Sequence, residues 1–279
     1  MHTTITCRIC GGSAFAADWG GATCSECNSV SVLACPTREE LQTFYETFNK
    51  TYYGGGRERG SKERQRRYAM AYLAAVGRHT HPGTLLDVGS STSPFPDAAA
   101  AAGYRVTSLD FVRPPTLRDD VAFIQGEATP RPELRAGFET VTCFAVIEHS
   151  TAPRELASAL VSYCRPSGVI VLTTPLVGDY WERNTAGRSA WFGPPEHLHL
   201  VSRRGMELLF CGAGCELVDY RRLELSTPRW VARYGIAAVE GLCGALMRAA
   251  TPSRWLARRN KHVAHAAPIA LYVFRKQLL

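Results

Sequence analysis

Short apolar runs alternate with longer segments of helical pattern through the middle of the chain. Pro96–Ala102 and Pro153–Cys164 are the segments that predict helices between these runs. Strands that alternate with helices predict a parallel sheet with crossover helices, whose ligands bind at the carboxyl ends of the strands. The predicted strands are Thr84–Val88, Tyr104–Leu109, Ala122–Gln125, Thr140–Phe144 and Val169–Thr173.

The pattern continues less regularly beyond the fifth strand. A long loop over Pro175–Pro195 leads to a predicted helix over Arg203–Ala213 and a predicted strand over Cys215–Leu223. Arg229–Arg259 then predicts a helical insertion, and Ile269–Phe274 predicts a last strand. We therefore expect the sheet to contain one strand that precedes the insertion in the sequence and one that follows it.

Two identical Cys-x-x-Cys pairs lie near the beginning of the chain. Cys7 and Cys10 are separated from Cys24 and Cys27 by thirteen residues. Each pair presents two thiolates from one tight turn, and two such turns supply the four tetrahedral ligands of a structural Zn²⁺ site. Disulfides or a redox motif are the alternatives, but a reducing compartment disfavours the first and the duplication disfavours the second. Residues 1–35 therefore predict a small zinc ribbon.

Composition and charge narrow the class of protein. A chain of 279 residues, 46% of them hydrophobic, can bury one main core and carry a small accessory module. The formal net charge of +7 would suit nucleic acid, but a solvated arginine-rich surface accounts for it as well. The sequence has no apolar run long enough to span a membrane and no signal peptide at its beginning. We therefore expect a cytoplasmic protein without a membrane partner.

A turn of small residues follows the first predicted strand. Asp87 and Gly89 end that strand, and Ser91 and Ser93 are the next small residues, so the backbone can approach a ligand closely. Asp110 closes the second strand, where a carboxylate can accept both ribose hydroxyls of an adenosine. This arrangement predicts a nucleoside-containing cofactor at the carboxyl edge of the sheet.

These motifs resemble those of the class I S-adenosylmethionine-dependent methyltransferases, especially the branch with the ubiquinone-type O-methyltransferases and many natural-product enzymes. The similarity covers about residues 80–225, and the family's first motif corresponds to Asp87–Ser93, with serines in place of two of its three glycines. A dinucleotide-binding fold would need Gly-x-Gly-x-x-Gly around a pyrophosphate, whereas this loop has one glycine. The resemblance implies S-adenosylmethionine as cofactor. It also implies an α/β, Rossmann-like, doubly wound and mainly parallel sheet with an antiparallel last strand, to which the zinc ribbon is added.

The resemblance assigns roles to individual residues as well. Phe111 matches the residue that packs on the adenine, and Glu127 matches the one that contacts the adenine amino group. Phe138–His149 is similar to the fourth-strand motif, and Arg165–Pro175 to the following turn and fifth strand, with Ser167 where glycine is usual. The cofactor-binding residues that it implies are Asp87, Gly89, Ser91, Ser93, Asp110, Phe111, Glu127, Ala128 and Phe144.

Two histidines are candidates for removing a proton from the methyl acceptor. His149 follows the fourth strand, and His197 lies in a Glu-His-Leu-His segment after the long loop. That segment resembles one in zinc-containing sugar C-methyltransferases, which implies His197 as the base and Glu196 as the group that orients it. The alternative is that the segment only fixes the start of the next helix, with Ser202 as its N-cap. His199 is expected to face the core.

The sequence thus predicts three regions. They are a zinc ribbon at 1–35, a helical linker or lid at 36–80 with two helices joined by a glycine-rich loop, and an S-adenosylmethionine-binding domain at 81–279. The insertion at 229–262 has one apolar face, a pattern that packs on the core or on a twin subunit, so a homodimer could form.

We expect the enzyme to methylate a small molecule, a natural-product or sugar-type acceptor, at oxygen or carbon in a biosynthetic reaction. The acceptor could be linked to a nucleotide or a carrier. One alternative is an RNA base methyltransferase that grips RNA with the ribbon and an arginine cluster at 57–67, although Arg8 is the ribbon's one basic residue between its first and last cysteine. Another is a zinc-dependent interaction protein with a vestigial methyltransferase fold.

Overall fold

The computed structural model describes residues 4–16, 21–44, 58–176, 197–223 and 269–278. Helices in this part of the chain are α1 (38–44), α2 (Glu58–Val76), α3 (Phe95–Ala101), α4 (Pro153–Tyr163) and α5 (Arg203–Cys211). The strands before residue 100 are β1 (Thr4–Thr6), β2 (Ser13–Ala16), β3 (Gly21–Cys24), β4 (Val30–Val32) and β5 (Thr84–Val88). The later strands are β6 (Arg105–Asp110), β7 (Ala122–Gln125), β8 (Phe138–Phe144), β9 (Cys164–Pro175), β10 (His199–Leu200), β11 (Cys215–Leu223) and β12 (Ile269–Lys276).

In the described part of the chain, seven strands form the main sheet, in the order β11-β12-β9-β8-β5-β6-β7. Strands β5 to β9 pair in parallel, whereas β12 is antiparallel to both β9 and β11. The predicted α/β, Rossmann-like sheet is therefore confirmed, and so is its antiparallel last strand. The strand order reverses between β5 and β8, and such a switch point opens a ligand crevice beyond the carboxyl ends of the strands.

Helices cover both faces of this sheet. On one face, Tyr72 of α2 and Phe95 of α3 are buried in a cluster with apolar residues of β5, β9 and β12. On the other face, Leu160 of α4 and Phe210 of α5 belong to a second buried cluster. The sheet is thus doubly wound, as its alternation of strands and helices predicts.

One element boundary differs from the sequence prediction for a clear physical reason. The helix predicted to run through Cys164 ends at Tyr163, because Cys164 already pairs with Phe138 and begins β9. The next paired residue of β9 is Val169, so the residues between form an irregularity in the ladder, and Ser167 takes a φ of 61° within it.

The N-terminal strands form a separate antiparallel sheet. Strands β1 to β4 pair in sequence order, and β10 adds a fifth strand to the edge of β4. His199 pairs with Ser31, and Leu200 pairs with Val30. The sequence did not predict this pairing, which joins the ribbon to a segment far along the chain.

Several predictions fall on residues outside the described part of the chain. They concern Glu196, the insertion at 229–262 and the glycine-rich loop at 54–56. Within the described part, α1 and α2 agree with the two helices predicted for residues 36–80. None of the described helices combines the length and apolar character needed to cross a bilayer.

Candidate functional site

A cavity of about 520 Å³ lies at the carboxyl ends of the parallel strands. This volume falls in the range of small-molecule sites. Its walls come from the ends of β5, β6 and β7, the loop after β8, the start of α4 and the helix α1. Six of the nine residues predicted to bind the cofactor line it: Gly89, Ser91, Asp110, Phe111, Glu127 and Ala128.

The loop after β5 approaches the cavity with two residues in the left-handed region. Gly89 has a φ of 75°, and a Cβ at this position would lie 2.4 Å from Cγ2 of Val146. Ser91 has a φ of 46°. Serine therefore adopts here the conformation that the corresponding glycine would adopt without strain.

Asp110 places its carboxylate at the end of β6, in the cavity wall. Its Oδ2 accepts a hydrogen bond from the backbone N–H of Ser91 at 2.7 Å, and its Oδ1 accepts one from Phe111 at 2.6 Å. Burial raises the pKa of this carboxyl above its usual value, while the two backbone donors act in the opposite direction. A carboxylate oxygen has two lone pairs, so both oxygens retain capacity for ligand hydroxyls.

Asp87 lies deeper than the sequence suggests, with 2% of its surface exposed. It does not line the cavity; instead Oγ1 of Thr142 donates a hydrogen bond to its Oδ1 at 2.6 Å. Burial raises the pKa of this carboxyl to about 7. Asp87 therefore links β5 to β8 just before the loop that lines the cavity.

Two more of the predicted cofactor residues are directed elsewhere. Ser93 accepts a hydrogen bond from the backbone of Phe95 at the start of α3. Phe144 stacks on Tyr72 at 4.1 Å between ring centroids and meets Phe95 edge-on at 4.8 Å. Both side chains thus contact the α2–α3 side of the sheet, and neither lines the cavity.

Helix α1 forms one wall of the cavity. Arg38 reaches Glu127 at 3.4 Å and Glu155 at 2.8 Å, joining two acidic residues of the wall. Nothing in the sequence indicates this contact, because Arg38 is one of many arginines and its partners lie far along the chain. Among the lining residues that the structure describes, carboxylates outnumber guanidinium groups, which suits a ligand with hydroxyl and amino groups rather than a pyrophosphate.

The two candidate bases lie side by side. His149 ends a 3₁₀ turn over Ile147–His149 and lines the cavity, and its ring centroid is 4.6 Å from that of His197. Glu148, with 1% of its surface exposed, has Oε1 4.0 Å from Nε2 of His149. Each of these three residues offers one atom that can bind a metal ion, and these atoms lie within 4.8 Å of one another, a spacing that could also admit a divalent cation.

His199 faces the interior, as predicted. It is fully buried, and burial lowers its pKa to about 4. Its Nδ1 lies 2.8 Å from Oγ of Ser31, and its Nε2 lies 3.0 Å from the carbonyl oxygen of Ser150. The ring is therefore a neutral anchor rather than a group exposed to the acceptor.

The four N-terminal cysteines converge at one point of the ribbon. The Sγ atoms of Cys7 and Cys27 are 3.7 Å apart, and those of Cys10 and Cys24 are 3.4 Å apart. A tetrahedron with Zn–S bonds of 2.3 Å has edges of about 3.8 Å, so the spacing fits a zinc ion. Backbone N–H groups of Gly12 and of the second Cys-x-x-Cys turn donate to Cys10 and Cys24, and such bonds favour the thiolate form.

The fold, the strand order and the acidic crevice together define the class I methyltransferase architecture. Residues 61–220, more than half of the chain, match the family described as "Methyltransferase domain". The chain therefore belongs to this family, and it is an S-adenosylmethionine-dependent methyltransferase.

Solved structures agree with this fold. The [4+2]-cyclase SpnF has a TM-score of 0.60 and 17% identity, with coverage of 89% of this chain and 99% of its own. The 1,6-didemethyltoxoflavin-N1-methyltransferase of Burkholderia thailandensis has a TM-score of 0.57 and 14% identity, with coverage of 95% and 99%. That structure contains S-adenosylhomocysteine and 1,6-didemethyltoxoflavin. No curated protein sequence matches this chain.

Proposed function

We propose that this enzyme transfers the methyl group of S-adenosylmethionine to an oxygen or carbon atom of a small molecule. The observation that carries the proposal is the placement of His149 in the wall of the cavity that also contains Asp110, with His197 packed against His149. A base at that position can remove the acceptor's proton as the methyl group is transferred.

The cofactor would lie along the carboxyl edge of the sheet. Gly89 and Ser91 would let the backbone approach it, Asp110 would accept the ribose hydroxyls, and Glu127 with Phe111 would bind the adenine. These roles are supported by the positions of all five residues around one cavity. When bound, S-adenosylmethionine supplies an electrophilic methyl group on a sulfonium sulfur.

Either histidine of the pair could accept the proton. His149 faces the cavity, and His197 packs behind it, which suits a pair in which one ring accepts the proton and the other stabilises the resulting charge. The resemblance to zinc-containing sugar C-methyltransferases favours His197 as the base, and Glu196 would then orient it. A natural-product or sugar-type acceptor, free or linked to a nucleotide or carrier, fits this chemistry.

The ribbon would hold a structural zinc ion. Four thiolates close the coordination shell, so the ion would stabilise the fold and take no part in the transfer. Thiolates that remain available for zinc require a reducing environment, which supports a cytoplasmic location.

The main alternative is methylation of an RNA base. Its support is the arginine-rich start of α2, where Lys62, Arg66 and Arg67 are exposed. Against it stands the cavity wall, whose carboxylates would repel a phosphodiester backbone. RNA affinity that falls by several decades between low and moderate salt would favour this alternative, because each neutralised phosphate adds to the salt dependence.

Calorimetry with S-adenosylhomocysteine tests the cofactor site. Asp110→Asn keeps the shape of the side chain and removes its charge, so we expect affinity to fall by about 10- to 100-fold, as for one or two charged hydrogen bonds. Asp97→Asn, in α3 and outside the cavity wall, is the matched control and should leave affinity unchanged. Absence of S-adenosylhomocysteine binding by the wild-type protein would contradict the proposal.

Isotope transfer tests the acceptor class. The purified enzyme would be incubated with S-adenosylmethionine carrying a ¹³C methyl group and either a panel of sugar nucleotides and small-molecule extracts or total transfer RNA. We expect the label in a small molecule, and we expect His149→Gln or His197→Gln to slow the transfer by about 10²- to 10⁴-fold. Label in RNA alone would establish the alternative instead.

A further inference from the structure

The segment from His197 to Leu200 is held between the ribbon and the turn that carries His149. On one side, the backbone N–H of Val32 donates to the carbonyl oxygen of Leu198 at 2.9 Å. On the other side, the N–H of Leu198 donates to the carbonyl oxygen of Glu148 at 2.8 Å. One peptide segment thus bridges the edge strand of the ribbon and the 3₁₀ turn of the candidate active site.

His199 makes the same bridge with its side chain. The carbonyl oxygen of Ser150 can only accept, so Nε2 of His199 carries the proton and donates to it. In the neutral ring Nδ1 is then an acceptor, and the hydroxyl of Ser31 donates to it. Each contact has one direction, which fixes both the tautomer and the orientation of the ring.

The geometry of the strand connects this anchor to the proton-transfer pair. Residues two positions apart in an extended segment point to the same side, so His197 and His199 both face the turn over 147–150. His199 binds Ser150, and His197 meets His149, the residue immediately before Ser150. A shift of the anchor would therefore change the contact between the two candidate bases.

We propose that His199 is a positioning residue, which links the folded state of the ribbon to the geometry of the His149–His197 pair. That this pair transfers a proton rests on the proposed function. The effect of His199 on the position of the two rings can be measured without any methyl acceptor. The ribbon is then a part of the active-site framework, because its Ser31 holds the ring that sets the position of His197.

Nuclear magnetic resonance of the full chain tests this role directly. The probe is S-adenosylhomocysteine-bound protein with isotope-labelled histidine, and the readout is the nuclear Overhauser effect between the rings of His149 and His197. Ser31→Ala removes the ribbon's hydrogen bond to His199 and leaves the backbone pairing of β4 intact. We expect it to reduce the effect by more than half and to shift both ring signals.

Controls separate positioning from loss of folding. Ser25→Ala removes an exposed hydroxyl that donates to Ser13 within the ribbon, and it should leave the ring contact unchanged. His199→Leu should abolish the contact, and His199→Gln, whose amide can still donate to Ser150, should retain part of it. Removal of zinc from the wild type by a chelator should weaken the contact as Ser31→Ala does.

The outcomes are distinguishable. Ring signals and ring contact that stay as in the wild type in Ser31→Ala or after zinc removal would overturn the proposal. If His199→Leu does not fold, Ser31→Ala still decides it. All folded variants should bind S-adenosylhomocysteine within about twofold of wild type, since the anchor does not line the cavity. Failure of the wild type to bind it would count against the proposed function and leave the ring contact measurable.

Discussion

Two serines of this enzyme adopt backbone angles that glycine adopts more easily. Ser91 has a φ of 46° and Ser167 a φ of 61°, and both positions are glycine in the usual pattern of the family. The left-handed region costs an L-residue about 1–2 kcal/mol. The backbone therefore follows at both positions the path that glycine usually takes. The free energy of unfolding is lower than it would be with glycine at these positions.

Ser167→Gly should raise the free energy of unfolding by about 0.5–1 kcal/mol. The relief of the left-handed strain exceeds the extra entropy that glycine gains in the unfolded chain. Urea unfolding of the two proteins measures the difference. Ser162→Gly, within α4, is the matched control and should act with the opposite sign, since glycine is less favourable than serine in a helix by roughly 0.5 kcal/mol. A lower stability for Ser167→Gly would contradict the strain argument.

The buried ring of His199 makes stability depend on pH. Its pKa is about 4 in the folded protein, against the ordinary 6.5. Between pH 6.5 and 4 the unfolded chain binds a proton at this histidine and the folded protein does not. The contribution of His199 to the free energy of unfolding is therefore complete above pH 6.5 and is lost as the pH falls towards 4. The loss amounts to about 3 kcal/mol at 1.36 kcal/mol for each pH unit.

Unfolding of the wild type and of His199→Gln between pH 7 and 4 measures this contribution. Other groups titrate in both proteins, so the difference between the two curves isolates His199. We expect the curves to converge as the pH falls. Parallel curves would show that His199 is protonated in the folded protein at the same pH as in the unfolded chain.

Among individual residues, those at strand ends could be predicted and those that act across the chain could not. Asp110 and Glu127 follow predicted strands, and the carboxyl ends of parallel strands meet at one edge. Arg38 could not be found, because nothing local marks it as a partner of Glu127 and Glu155. Phe144 was expected at the cofactor, but its ring stacks on Tyr72 of a helix whose position the sequence does not specify.

At the scale of elements, the start of α5 is the point at which the ribbon meets the main domain. Oγ of Ser202 accepts a hydrogen bond from the N–H of Gly205 at 2.9 Å, which confirms the predicted N-cap, and also donates to the carbonyl oxygen of Cys27. A Cβ at Gly205 would lie 2.3 Å from Oγ of Ser29. The helix can therefore approach the ribbon closely only because Gly205 lacks a side chain.

Ser202→Ala should lower the free energy of unfolding by about 2 kcal/mol. It removes a helix cap, for which about 1 kcal/mol is typical, and deprives the buried Cys27 carbonyl of a donor. Thr37→Ala is the matched control, because Thr37 caps α1 through Glu40 at an exposed site and should lose only the capping part. Thermal and urea unfolding give both values. Equal losses would show that the contact with Cys27 adds nothing.

Element types follow from local patterns, whereas the pairing of β10 does not. The parallel strands and their helices lie within a few residues of their predicted positions, because apolar runs and helical spacing are local properties. β10 has two residues, too few for a period, and its partner β4 lies in another region of the chain. The sequence therefore indicated His197 as a candidate base and His199 as a core residue, but it could not place either of them beside the ribbon.

On the scale of the whole molecule, the ribbon and the main domain depend on each other through β10 and α5. We predict one zinc ion per chain by elemental analysis, lost in Cys24→Ser and retained in Cys35→Ser, whose cysteine lies outside the four-sulfur cluster. Zinc binding contributes about 10–16 kcal/mol to the folding of small zinc modules, so its loss should unfold the ribbon.

Hydrogen exchange shows how far that unfolding extends. In Cys24→Ser we expect faster exchange in β1 to β4 and also in residues 197–202, because Val32 and Ser29 no longer hold that segment. Strands β5, β8 and β9, at the centre of the main sheet, should exchange as slowly as in the wild type. Unchanged protection at 197–202 would mean that the main domain holds this segment without the ribbon.

The pairing of β10 with β4 also has a consequence during synthesis of the chain. Ser31 and His199 are 168 residues apart, so the outer edge of β4 is completed only after most of the protein has left the ribosome. At 5–20 residues per second this takes on the order of 10 to 30 s. During that interval the outer edge of β4 is unpaired, and a strand of another nascent chain can form non-native hydrogen bonds with it. Translation pauses before β10 has left the ribosome should therefore increase aggregation more than pauses after it.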